Sequence, residues 1–91
     1  MMNLKMITYK LNDIQFLVDA KTNEEAIQKA IHANCNAHLL NEFDSGKDKK
    51  DIKNNTNYTV ENIKSIEELF FICHFKECIG IDNYETIVYS Y

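Results

Sequence analysis

Two runs in which apolar residues recur at every second position open the chain and predict a β-hairpin over residues 4–19. The alternating positions are Ile7, Tyr9 and Leu11 in the first run and Ile14, Phe16 and Val18 in the second. Side chains with this period share one face of a strand, so we expect one face of the hairpin to be buried. Asn12 and Asp13 separate the two runs and favour a tight turn between them, because both residue types tolerate the backbone angles of turns.

A helical pattern follows the hairpin. Thr22 is followed three residues later by Glu25, which is the spacing of a capping box at a helix start. The apolar residues beyond it then recur at intervals of three and four, as on one face of a helix. The spacing predicts a helix over residues 23–42, with a bend after Asn34, because asparagine is a poor helix former.

Residues 44–57 are almost entirely polar or charged and predict a mobile charged loop. Ile52 is the one branched apolar residue in this stretch, and a single such residue is not expected to anchor a helix or strand. The segment is therefore interpreted as a solvated connector between the helix and the last third of the chain.

Strand-forming residues return from position 58 and predict strands over 58–63, 69–75 and 84–91, with a turn over 80–83. A second capping box, Ser65 to Glu68, offers an alternative in which residues 66–79 form a helix that buries Ile66, Phe70 and Cys73. The aromatic and β-branched residues concentrated in 70–75 favour the strand.

These elements predict an α+β fold within a single compact domain spanning residues 1–91. An antiparallel sheet of four or five strands in a ββαβββ-like order would carry one helix on one face. A chain of 91 residues has room for one domain of this size.

Composition excludes several classes of function. All ten basic residues are lysine, so the chain lacks the planar guanidinium that grips phosphate or guanine with two hydrogen bonds. Gly46 and Gly80 are the only glycines, too few for a phosphate-cradling loop. The net charge of −4 disfavours direct nucleic-acid binding. We also find no nucleophile with a base and an orienting group, so the sequence predicts no enzyme and no cofactor.

The chain has no apolar run long enough for a transmembrane helix and no apolar segment typical of a signal peptide near its start. Three cysteines, an odd number, are not typical of a secreted disulfide scaffold. We therefore expect a cytoplasmic protein, of the producing or infected cell, that contacts no membrane.

Cysteine and histidine fall in two short windows, His32 to His38 and Cys73 to Cys78, and thiolate and imidazole are the ligands that zinc prefers. The spacing matches no compact zinc motif, and buried thiols account for these residues equally simply. A small zinc-stabilised domain is therefore an alternative rather than the leading interpretation. Its ligands would be Cys35, His38, Cys73 and Cys78.

The last third of the chain is both acidic and aromatic. Residues 58–91 contain two lysines and six acidic residues, so the whole net charge of −4 lies there. Tyrosines are enriched in protein interfaces, and acidic groups complement a basic partner. The sequence predicts a partner-binding surface on this third. Its candidate residues are Glu61, Glu67, Glu68, Glu77, Asp82, Glu85, Tyr84, Tyr89 and Tyr91.

The leading functional hypothesis is a non-catalytic protein-binding module for a partner with a basic surface. The hairpin and the Thr-x-Glu-Glu-Ala-Ile-x-x-Ala helix start resemble many small proteins of phages and low-GC bacteria, and the resemblance implies no functional residue. An anti-CRISPR-type viral inhibitor, whose acids mimic nucleic-acid phosphates in a host defence machine, is the most concrete form of the hypothesis. A homodimeric bacterial regulatory protein that pairs through an edge strand is a further alternative.

Overall fold

A computed structural model describes residues 3–36, 49–82 and 85–90 of the chain. Within these ranges the chain forms five strands and three helices, together with a short 3₁₀ turn at Asn55–Asn57. In chain order the elements are β1 (Leu4–Tyr9), β2 (Gln15–Asp19), α1 (Asn23–Asn36), α2 (Lys49–Lys53), β3 (Tyr58–Asn62), α3 (Ile66–Phe75), β4 (Glu77–Ile81) and β5 (Ile87–Ser90). The described part of the chain has no helix with the length and apolar character of a membrane span.

The strands form one open sheet in the order β3-β1-β2-β5-β4, and every neighbouring pair is antiparallel. This arrangement confirms the predicted α+β class and the antiparallel sheet. β3 and β4 are the two edge strands. Since neighbouring strands lie about 4.8 Å apart, these edges are separated by roughly 19 Å.

The predicted hairpin is present, and its turn uses Asp13 as expected from the sequence. Asp13 has φ of 62°, in the left-handed region, and its backbone N–H donates to the Tyr9 carbonyl over 2.8 Å. Asn12 adds a local bond, because its side-chain oxygen accepts from the Ile14 N–H over 3.1 Å. These short-range contacts hold β1 and β2 in register across the turn.

α1 begins where the capping box predicts. The Thr22 hydroxyl accepts from the Glu25 N–H over 3.1 Å, and the Glu25 carboxylate accepts from the Lys21 N–H over 3.0 Å. The helix presents alanines to the sheet, which allows a close approach of the two backbones. These are Ala26, Ala30 and Ala33, all fully buried. The predicted continuation over 37–42 lies outside the described residues.

α1 covers one face of the sheet, and the main core lies between them. Ile7, Phe16 and Val88 come from the central strands and are at most 1% exposed. Tyr9 and Tyr58 lie in the same cluster with their ring centroids 5.0 Å apart. Five of the six residues predicted on one face of the hairpin are buried, namely Ile7, Tyr9, Ile14, Phe16 and Val18. Leu11 is 58% exposed, because it lies in the turn beyond the end of β1.

The predicted connector over 44–57 is partly wrong. Residues 49–53 form α2, and Ile52 is 5% exposed within the α1-side core. A hydrogen bond also holds α2 against the core, because the Tyr58 hydroxyl donates to the Ile52 carbonyl over 2.5 Å. The expectation that Ile52 alone could not anchor a helix is wrong, because the hydrogen bond from Tyr58 adds to the burial of its side chain. Residues 44–48 lie outside the described ranges.

The strand predicted over 69–75 is also wrong, because these residues belong to α3. The alternative helix over 66–79 is closer, although α3 ends at Phe75 and residues 77–81 form β4. α3 packs on the sheet face opposite α1, so each face carries a helix rather than one face alone. Ile72 of α3 meets Met6, Leu17 and Tyr89 in a second, smaller core.

Candidate partner-binding surface

α3 starts with the same local chemistry as α1. The Ser65 hydroxyl accepts from the Glu68 N–H over 3.1 Å, and the Glu68 carboxylate accepts from the Lys64 N–H over 2.9 Å. Both helices thus begin with a lysine, a hydroxyl cap and a returning glutamate. The cap fixes the point at which the chain leaves β3 and turns over the sheet.

The side of α3 away from the sheet is unusually apolar. Ile66 is 84% exposed, Phe70 is 67% exposed and Phe71 is 61% exposed. Ile66 and Phe70 are four residues apart and therefore neighbours on the helix surface. Phe70 in turn stacks on the His74 ring, with centroids 5.7 Å apart. Single exposed apolar residues are ordinary, but three on one ten-residue helix mark a candidate interaction site.

A groove of about 590 Å³ runs beside α3 on the side of edge strand β3. Its sheet wall comes from three adjacent strands, with Gln15 on β2, Met6 on β1 and Glu61 on β3. Its helix wall includes Glu67 and Phe71, which are four residues apart and lie on one stripe of α3. Each wall of the groove therefore combines an apolar side chain with a carboxylate, Met6 with Glu61 on the sheet and Phe71 with Glu67 on α3.

A polar network closes the end of the groove that lies beside the C-terminus of α3. Lys76, which lines the groove directly after α3, donates a hydrogen bond to the side-chain oxygen of Gln15. Gln15 in turn donates to the Thr8 hydroxyl over 2.8 Å. The groove is therefore positively charged at the Lys76 end and negatively charged along the rest of its length. The negative charges belong to Glu61, Glu67 and Glu68.

The structure divides the six predicted acidic residues into two groups. Glu61, Glu67 and Glu68 line the groove. Glu77 begins β4 at the opposite edge of the sheet from Glu61, and Asp82 and Glu85 flank the turn between β4 and β5. Within the described residues, the first group adjoins exposed aromatic side chains, and the second group lies at or near the opposite edge of the sheet. We call Glu61, Ile66, Glu67, Glu68, Phe70 and Phe71 together the α3 surface.

Of the three predicted tyrosines, Tyr89 is the one that the structure describes, and it does not contribute to the α3 surface. Tyr89 is 5% exposed and packs between β5 and α3, so it stabilises the core. The alternation of β5 predicts Tyr89 on a sheet face open to a partner, whereas α3 covers that face. Tyr84 and Tyr91 lie outside the described residues.

The four residues of the alternative zinc site are not brought together by the described elements. Cys35 packs against the α1-side core, whereas α3, which contains Cys73, lies on the opposite face of the sheet. Cys78 is exposed on edge strand β4, and His38 lies outside the described residues. Within the described ranges, no three histidine, cysteine, aspartate or glutamate side chains are grouped as metal ligands.

Phe70 and Phe71 are the candidate binding residues that sequence reasoning missed. They were assigned to a buried strand, and the alternative helix was expected to bury Ile66 and Phe70, which are instead exposed. A signal was present, because seven of the ten residues of α3 are apolar. A helix with that composition has apolar residues on more than one face, and only one face can pack on the sheet.

Comparison of the chain with protein-family models, with curated proteins and with solved structures gives no match. The functional argument therefore depends on the geometry of the chain itself.

Proposed function

We propose that this protein is a non-catalytic protein-binding module that holds a basic partner protein on the α3 surface. The observation that carries the proposal is the exposure of Phe70 and Phe71 next to the carboxylates of Glu61 and Glu67. Exposed aromatic rings release water from a large area on binding, and flanking carboxylates orient and attract a cationic surface. The net charge of −4 acts in the same direction.

The most concrete form of this proposal is an inhibitor of a host defence machine, of the anti-CRISPR type. A groove that normally holds nucleic acid is lined with lysine and arginine, and it would accept carboxylates in place of phosphates. The groove acids Glu61, Glu67 and Glu68 support this form, since the absence of arginine leaves the protein itself poorly equipped to hold nucleic acid.

Affinity capture from the source cell tests the proposal with matched variants. The test variant is Phe70→Ser/Phe71→Ser, and the control is Leu11→Ser, which removes a 58% exposed apolar side chain from the hairpin turn. We expect the wild-type protein and the control to retain one basic protein that the test variant loses. Equal recovery of the same proteins on all three would overturn the proposal.

The salt dependence of capture tests the contribution of the carboxylates. Exposed charges attract each other over about 10 Å at 0.1 M salt and over about 3 Å at 1 M. We therefore expect the partner to be released as salt is raised, and to be held more weakly by Glu61→Gln/Glu67→Gln. Inhibition of a purified nucleic-acid-binding partner by the wild-type protein, but not by this variant, would support the inhibitor form. Unchanged inhibition by the variant would show that Glu61 and Glu67 do not act as phosphate mimics, and no inhibition by the wild-type protein would exclude the inhibitor form.

A further inference from the structure

We infer that the occupant of the groove beside α3 is a cationic amphipathic helix of the partner, lying against both α3 and the sheet. This inference rests on the proposed function and specifies what part of the partner is bound. It follows from the space beside α3, the apolar side chains that line the groove and its carboxylates.

α3 leaves part of one sheet face open beside it. Three residues separate it from the end of β3 and one residue separates it from the start of β4, so it crosses the sheet between the two edge strands. Met6, Gln15 and Glu61 line the groove on the sheet side, and Glu67 and Phe71 line it on the α3 side. Helices that pack side by side have axes about 8–10 Å apart. A helix lying in the groove would therefore contact both α3 and the sheet.

The chemistry of the groove determines which face such a helix would present. Met6 and Phe71 offer apolar contacts on the sheet wall and on the helix wall, so the occupant needs an apolar stripe. Glu61 and Glu67 lie on the two walls, so lysine or arginine is needed on either side of that stripe. α3 has ten residues and is about 15 Å long, which matches a partner helix of about three turns.

A second copy of this chain is a poorer occupant. A symmetric pairing through this groove would bring Glu61, Glu67 and Glu68 of one copy near the same residues of the other. Like charges brought together at an interface oppose association, and the chain as a whole already has a net charge of −4.

Synthetic 14-residue peptides of leucine and lysine test the inference with the full-length protein. The first peptide places leucine at helical spacing so that one face is apolar and the rest is lysine. The second has the same composition in an order that forms no apolar stripe, and the third replaces lysine by glutamate. We expect only the first to bind in fluorescence anisotropy titrations and to become helical when bound.

Matched charge variants separate binding in the groove from general attraction. Glu61→Gln/Glu67→Gln removes two groove charges, and Glu77→Gln/Glu85→Gln removes two exposed charges at and near the opposite edge strand. We expect the groove variant to bind the first peptide about fivefold to tenfold more weakly than the edge variant. Phe71→Ser should weaken binding more than Phe70→Ser, because only Phe71 lines the groove. Far-ultraviolet circular dichroism checks that all four variants are folded.

Several results would overturn the inference. Equal weakening by the two charge variants would show general attraction, and equal binding of the first two peptides would show that no helix is recognised. A concentration-dependent dimer in sedimentation that is lost in Phe71→Ser would assign the groove to a second copy. If the captured partner is lost in Glu61→Gln/Glu67→Gln but is not displaced by the first peptide, the inference fails while the proposed function stands.

Discussion

Asn34 on α1 donates a side-chain hydrogen bond to the hydroxyl of Tyr58 on β3 over 2.9 Å. The two residues are 24 positions apart, and both are at most 5% exposed. The same hydroxyl donates to the Ile52 carbonyl, so Tyr58 joins α1, α2 and β3 at one point. The sequence predicts a bend in the helix after Asn34, and the structure shows that Asn34 is buried and links α1 to β3.

We predict that Asn34→Ala and Tyr58→Phe each lower the free energy of unfolding by about 1–3 kcal/mol, because each leaves a buried polar partner without its bond. The double variant should lose less than the sum of the two single losses, since the shared bond is removed only once. Urea denaturation measures all three. Asn55→Ala, at an exposed asparagine, is the control and should change stability by less than about 0.5 kcal/mol. Strictly additive losses would contradict the link.

Alkaline pH should destabilise the protein above about pH 10. Burial raises the pKa of the Tyr58 hydroxyl above its ordinary value, and burial followed by the Asp51 carboxylate raises the pKa of Tyr9. Above pH 10 the unfolded chain releases these protons while the folded protein retains them, so stability falls as pH rises. The slope for Tyr58 approaches about 1.4 kcal/mol per pH unit, and the raised pKa of Tyr9 adds to the loss in the same direction.

Denaturation midpoints between pH 8 and pH 11 measure this loss, and Tyr58→Phe is the comparison. The variant should be less stable at pH 8 but should lose less stability as pH rises, because one titrating group has been removed. Identical slopes for the two proteins would show that Tyr58 does not titrate as inferred.

Ile52→Ala should destabilise the protein by about 2–4 kcal/mol, because it leaves a cavity in the α1-side core. The matched control is Ile66→Ala, since Ile66 is 84% exposed, and its effect should be within about 0.5 kcal/mol. Thermal unfolding of both variants distinguishes a packed α2 from a solvated connector. A negligible effect at Ile52 would restore the original prediction of a loop.

Replacement of Asp13 tests the left-handed turn of the hairpin. Glycine adopts a φ of 62° without a steric cost, so Asp13→Gly should be as stable as the wild-type protein or up to about 1 kcal/mol more stable. A β-branched residue is strongly disfavoured there, so Asp13→Val should lose about 1–2 kcal/mol. Equal stability of the two variants would be inconsistent with this backbone angle.

Removal of metal should leave stability unchanged. Cys35 packs against the core on one face of the sheet, and α3, which contains Cys73, lies on the other face. We expect the same unfolding temperature with and without a chelator, and no stoichiometric zinc by elemental analysis of protein purified without one. A lowered unfolding temperature together with one zinc per chain would favour the zinc-stabilised alternative.

The sequence by itself determined the features that depend on neighbouring residues. Alternation located β1 and β2, Asn12 and Asp13 located the turn, and the cap at Thr22 located the start of α1. The cap at Ser65 indicated the start of α3 only as an alternative to the favoured strand. These features are local, because a turn or a cap is made by side chains within a few positions of the backbone that they contact. The absence of arginine and the acidic last third were likewise evident from composition.

Tertiary structure alone decided between strand and helix for residues 69–75, since a dense apolar segment is compatible with a buried strand or a helix. It buried Tyr89 beneath α3 and Ile52 beside Tyr58, and it separated Glu77 from Glu61. Each outcome depends on which distant elements pair across the sheet. The exposed Phe70 and Phe71 follow from the same cause, because the sheet has room to cover only one face of α3.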